Sequence, residues 1–244
     1  MNPLESKKAL IIGGGSGIGQ AIAVSLASAG CHCAVAGRTV EKLSETAALF
    51  GGEPKILTHA VDVADRERVS QLFDWFNTSL GAPDILVNAA GVNIRDRSMS
   101  AMSPEEWDNV IQINATGAYN CLSAVLPLMR KKNDGIIIQI SSVSGRRATP
   151  LGGVAYNASK FAMTALGTAV GNEESANGIR VTNIYPGEVN TPILDQRAAP
   201  PSPEQRALMV QPQDIAELVL TICALPRHAH VPELVIKPLG QAYV

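Results

Sequence analysis

Short apolar runs alternate with longer amphipathic stretches along this chain. The runs Ala9–Ile12, His32–Ala36, Ile56–Val61, Ile85–Asn88, Gly135–Ser141, Arg180–Tyr185 and Leu234–Lys237 have the length and apolar content of buried strands. Between them lie candidate helices at Gln20–Ala29, Thr39–Phe50 and Arg66–Leu80, the last with Asp65 as N-cap. Ser103-Pro104-Glu105-Glu106 reads as a capping box with Pro at the first helical position. A long helix from about Trp107 to Lys131 should break, because Asn114 and Gly117 lie inside it and Pro127 near its end. Strand–helix alternation predicts an α/β protein, a doubly wound parallel sheet of about seven strands with helices on both faces. Pro200-Pro201-Ser202-Pro203 marks irregular chain. Nothing repeats and no linker divides the chain, so one domain over 1–244 is expected.

Composition agrees with a packed globule. Of 244 residues, 46% are apolar and 17% charged, which supports one sizeable core rather than disorder. A net charge of −2 gives no electrostatic case for nucleic acid. Met1 to Lys8 is polar, with no apolar stretch behind it, so neither a signal peptide nor a membrane span is expected. Cys31, Cys33, Cys121 and Cys223 have no metal-ligand spacing. They read as buried reduced thiols, and the compartment as cytoplasmic.

Two local patterns carry chemistry. Gly13-Gly14-Gly15-Ser16-Gly17-Ile18-Gly19 follows the first strand and opens the first helix. Glycines let backbone approach a pyrophosphate, and the helix N-terminus offers free N–H groups. The order strand, glycine turn, helix is that of a dinucleotide site in a Rossmann-type sheet. In Tyr156-Asn157-Ala158-Ser159-Lys160 a phenol and an ammonium share one helix face. A charge about 4 Å away, at an effective dielectric of about 20, favours the phenolate by roughly 4 kcal/mol. That lowers the phenol pKa by up to about three units before desolvation acts. The expected product is an acid/base suited to an alcohol or carbonyl.

Taken with further motifs, these residues resemble the short-chain dehydrogenases/reductases in their single-domain, non-extended form. The family's glycine pattern falls on Gly13, Gly17 and Gly19, with Ile12 where a turn-bracing Thr is usual. Its Asn-Ala-Ala-Gly falls on Asn88-Ala89-Ala90-Gly91, and its adenine-contacting Asp on Asp62, followed by Val63. Its helix Asn falls on Asn114, its catalytic Ser on Ser142, and its Pro-Gly on Pro186-Gly187, with Val189 and Thr191 beyond.

The resemblance implies hydride transfer between a nicotinamide cofactor and an alcohol or ketone. Tyr156 would be the acid/base, Ser142 would hold the substrate oxygen, and Lys160 would also hold the nicotinamide ribose. Asn114 would fix a relay water. Gly13, Gly15, Ser16, Gly17, Ile18, Gly19, Asp62, Val63, Asn88, Ala89, Gly91, Pro186, Gly187, Val189 and Thr191 would line the cofactor. No metal is implied. A homotetramer or homodimer is, with the small residues Ala158, Ala162, Ala165, Gly167 and Ala169 permitting close helix approach.

Cofactor choice turns on Ala36-Gly37-Arg38-Thr39. An acid there would hold the ribose hydroxyls of NAD. Arg38 instead suits a 2′-phosphate, so NADP(H) is expected, with NAD(H) the alternative. The pocket rim should comprise the residues after Gly91, the Ser142–Tyr156 loop and a mobile lid at 188–212. Arg95, Arg97, Arg146, Arg147 and Arg197 crowd these segments. They point to a small anionic substrate such as a 3-hydroxy acid, with Arg146 and Arg147 the strongest candidates to grip it. A 3-oxoacyl thioester or neutral ketone reductase, and a non-catalytic NADP-binding sensor, are the alternatives.

Overall fold

The computed structural model describes residues 2–242. Seven strands form one parallel sheet: β1 Lys8–Ile12, β2 His32–Gly37, β3 Leu57–Ala60, β4 Ile85–Asn88, β5 Gly135–Ile140, β6 Ile179–Pro186 and β7 Glu233–Ile236. Their spatial order is β3-β2-β1-β4-β5-β6-β7. Parallel neighbours need crossovers, and here helices supply them. They are α1 Gly17–Ser28, α2 Val40–Phe50, α3 Arg66–Leu80, α4 Pro104–Ile111, α5 Gly117–Lys132, α6 Val154–Glu174, α7 Pro203–Ala207 and α8 Pro212–Ala224. The fold is a Rossmann-type doubly wound sheet.

Because strand side chains alternate, β1 feeds two cores. Ala9 and Ile11 face one core with Ile22 and Leu26 of α1 and Val219 of α8. Leu10 and Ile12 face the other with Phe73 and Phe76 of α3 and Leu122 of α5. Burying one such side chain contributes roughly 1.5–3 kcal/mol. Strand order reverses between β1 and β4, where Ile12 pairs with Ala36 on one side and Asn88 on the other. Such a switch point opens a crevice at the carboxyl ends of the strands.

The helix ends form as their caps dictate. Asp65 accepts a hydrogen bond from Arg68 N at 3.0 Å. Ser103 and Glu106 close a capping box at α4. The expected break between α4 and α5 is a π-helical turn at Gln112–Thr116, while Pro127 is accommodated inside α5. Segment 188–212 leaves the sheet after β6 and returns to its starting point. Asn190 N donates to Val210 O at 2.9 Å, and Val210 N to Glu188 O at 3.2 Å. Among the described residues, no helix is long and apolar enough to cross a membrane.

Candidate active site

A cavity of about 660 Å³ lies at the carboxyl ends of the strands. The glycine turn forms one wall. Gly13 has φ +77°, and a Cβ there would stand 2.5 Å from Ala90 N. A Cβ on Gly19 would strike the Gly13 carbonyl oxygen. Gly17, at φ +53°, packs against Thr191, whose Cγ2 would stand 3.0 Å from a Cβ there. The N-terminus of α1, at Gly17, opens onto this space. A backbone cradle of this kind fits a dinucleotide pyrophosphate.

The opposite wall carries Ser142, Tyr156 and Lys160. Ser142 follows β5 and Tyr156 stands in the first turn of α6. Burial raises the Tyr156 pKa, and the two side chains are close enough for a hydrogen bond that opposes this rise. Lys160 is 3% exposed, and its Nζ donates to Ile140 O at 2.8 Å. Burial pushes its pKa down to about 8. Ser141 Oγ locks α6 to β5 through Lys160 O at 3.2 Å and Thr164 Oγ1 at 2.9 Å.

The family model for short chain dehydrogenases matches residues 7–201. The chain belongs to the short-chain dehydrogenase family. Over 239 residues it is 34% identical to an uncharacterized oxidoreductase of Staphylococcus aureus, covering 98% of this chain and 100% of that protein. It is also similar to the alcohol dehydrogenase of the archaeon Thermococcus sibiricus, solved with 5-hydroxy-NADP, at TM-score 0.87 and 29% identity. That match covers 98% of this chain and 99% of the other. The closed form of serine dehydrogenase complexed with NADP⁺ matches at TM-score 0.88 and 26% identity, over 97% of this chain and 96% of that one. The protein is thus an oxidoreductase of the short-chain class.

Of the site residues singled out by motif in this short-chain dehydrogenase, all but Asn88 and Asn114 line the cavity. Asn88 is 2% exposed, and its Nδ2 donates to Gln139 Oε1 at 2.8 Å, tying β4 to β5. Asn114 is fully buried in the π-helical turn. Its Oδ1 accepts from Val92 N at 2.8 Å, and its Nδ2 donates to Val92 O at 2.9 Å and Ser159 Oγ at 3.0 Å. Ser159 Oγ in turn donates to Tyr156 O at 2.8 Å. The Asn114 amide therefore braces the turn bearing Tyr156, with both its N–H groups in use.

Two expectations are corrected. The Tyr156 pKa is raised rather than lowered, and Lys160 does not bond the phenol. Its ammonium lies 5.7 Å from the Tyr156 ring centroid and is bonded elsewhere. Burial raises the Tyr156 pKa, opposed by the Ser142 hydrogen bond and the charge of Arg97. Nor do Arg146 and Arg147 line the cavity. Arg146 pairs with Glu233 at 2.5 Å and stacks on Tyr185, its guanidinium 5.2 Å from the ring centroid. Arg147 and Arg95 are exposed outside the lining. Arg97 and Arg197 are the rim arginines that line it.

Three further residues escaped the motifs. Lys42 lines the cavity with Arg38; its position in the first turn of α2, four residues after Arg38, was the available signal. Thr46 is fully buried, and its Oγ1 lies 2.9 Å from Gly14 O and 3.0 Å from Lys42 O, with Gln20 Nε2 donating to it at 2.9 Å. It gives the glycine turn a hydroxyl brace where Ile12 offers none. Gln241 reaches the cavity from the far end of the chain, its Oε1 accepting from Glu188 N at 2.9 Å.

Proposed function

We propose that this protein is an NADP(H)-dependent dehydrogenase/reductase of a small alcohol or ketone, with a 3-hydroxy acid or its keto form as the leading candidate. One observation carries the reading: Ser142, Tyr156 and Lys160 open into the same cavity as the glycine cradle. When bound, the nicotinamide cofactor supplies or accepts the hydride. The chain's own groups handle the proton and the geometry. Tyr156 donates a proton to the substrate oxygen in reduction. Its raised pKa keeps the phenol protonated, the form that step needs. Ser142 Oγ holds the same oxygen. Lys160, buried beside the ring, is placed to hold a ribose hydroxyl. Asn114 keeps the Tyr156 turn in register through Ser159. Asp62 and Val63 at one end, and Pro186, Gly187, Val189 and Thr191 at the other, bound the cofactor.

NADP(H) is favoured over NAD(H) because Arg38 and Lys42 both line the cavity after β2, where an acid would serve NAD. Two of the similar structures hold NADP or its derivative. Segment 188–212 acts as a lid on a one-domain protein. The exposed face of α6, with Phe161, Ala162, Ala165 and Ala169, supports a homodimer or homotetramer. A mass of one chain, 25.7 kDa, in light scattering would contradict that. The four cysteines are buried and free, with Cys121 pushed up to about 12 by burial. Such inert thiols support a cytoplasmic location, which cell fractionation checks.

The deciding experiment is a turnover screen with NADPH and NADH against oxo acids, acyl thioesters and neutral ketones. NADPH consumption with a small oxo compound, faster than with NADH, is expected. Cofactor binding without turnover of any class would contradict the reading.

A further inference from the structure

The charges around Tyr156 do not balance. Glu188 is neutralised by Arg197 at 2.8 Å, and Asp195 by Arg206. Arg97 also lines this part of the cavity and is partly buried. Among the described residues, no carboxylate forms an ion pair with it. Its Nε donates to Ile94 O at 2.8 Å and its Nη1 to Leu151 O at 2.7 Å. Nη2 has no hydrogen-bond partner among the described residues.

Arg97 is mounted on the helix that carries Tyr156. Its carbonyl accepts from Val154 N at 3.1 Å, at the start of α6. Gly153, at φ +79°, leaves room for it, because a Cβ there would strike the Arg97 Cβ. Tyr156 follows two residues later, and the Arg97 charge acts on its phenol. A partly desolvated cation without a counter-ion is unfavourable. Burial and the charge of Arg197 both push the Arg97 pKa down. A single negative charge on a ligand would give Arg97 the counter-ion it lacks. A phosphate dianion would need a second free cation, and Glu188 occupies Arg197. A carboxylate suits the planar guanidinium.

We propose that Arg97 is the specificity-determining residue of this site, gripping the carboxylate of a small oxo or hydroxy acid whose reacting oxygen meets Tyr156. The proposal rests on the dehydrogenase reading above and deepens it. The bland alternative is that Arg97 only braces the loop after β4 against Leu151.

Matched acid and ester substrates separate the two. Acetoacetate and methyl acetoacetate are reduced with NADPH by the wild type, Arg97→Met and Arg97→Lys. The wild type should favour the acid by roughly 10–100-fold in kcat/KM, as for a charge-assisted contact. Arg97→Met should bring that ratio close to one, and Arg97→Lys should restore part of it. A loss shared equally by acid and ester means a bracing role and overturns the proposal. So does a wild type without acid preference.

Calorimetry on the NADP⁺-loaded protein tests the grip without chemistry. Binding of 3-hydroxybutyrate by the wild type, and its loss in Arg97→Met, supports the proposal even if neither oxo compound is turned over. In that event the proposed activity fails and the Arg97 assignment stands. Absent binding to the wild type, or unchanged binding to the variant, overturns the assignment. Tighter binding of dihydroxyacetone phosphate than of the acid would overturn the choice of carboxylate.

Discussion

Lys160 and Tyr156 stand one helical turn apart, yet the Lys160 ammonium bonds the Ile140 carbonyl at 2.8 Å and lies 5.7 Å from the Tyr156 ring centroid. The lysine is a buried cation within the protein wall rather than a direct partner of the phenol oxygen.

This placement has a pH signature. Burial lowers the Lys160 pKa in the folded protein from 10.5 to about 8. Between these values the unfolded chain binds more protons, so stability rises with pH across that window. Below about 8 both states are protonated and the full cost of burying the ammonium is present. A shift of this size corresponds to roughly 3 kcal/mol. Urea unfolding of the cofactor-free wild type and Lys160→Met at pH 7.5 and 10 should show the wild type gaining on the variant, by up to that amount. A difference independent of pH would refute the assignment.

Cofactor choice is tested at Arg38 and Lys42. Arg38→Ala should weaken NADPH binding by roughly 10–100-fold, the range for one charge-assisted contact. NADH binding should barely change. Both side chains are exposed, so the effect should shrink at high salt. Lys42→Ala should act in the same direction. Equal losses for NADPH and NADH in fluorescence titrations would remove the 2′-phosphate role.

Much of the fold was legible because strand length and helix caps are local properties. Arg66–Leu80 emerged with its predicted ends, since Asp65 caps one end and Gly81 follows the other. Asn114 and Gly117 marked the interruption before α5, though not its π-helical form. Cavity walls were legible where backbone makes them, as at Gly13, Gly17 and Gly19. Side-chain destinations were not. Arg146 and Arg97 look alike in the sequence, but Glu233 and Tyr185 draw one away. Gly153 seats the other beside Tyr156. Thr46 reaches the glycine turn only because α2 packs over it. The Lys160 ammonium chose a carbonyl of β5 that no spacing rule reveals.

The central claim is that Tyr156 moves the proton in an NADPH-dependent carbonyl reduction. The most direct measurement is the turnover number of Tyr156→Phe, with the NADPH dissociation constant determined on the same sample. Loss of a positioned general acid should lower turnover by about 10²-fold or more, while NADPH affinity stays close to that of the wild type. Turnover within a few-fold of the wild type would contradict the account.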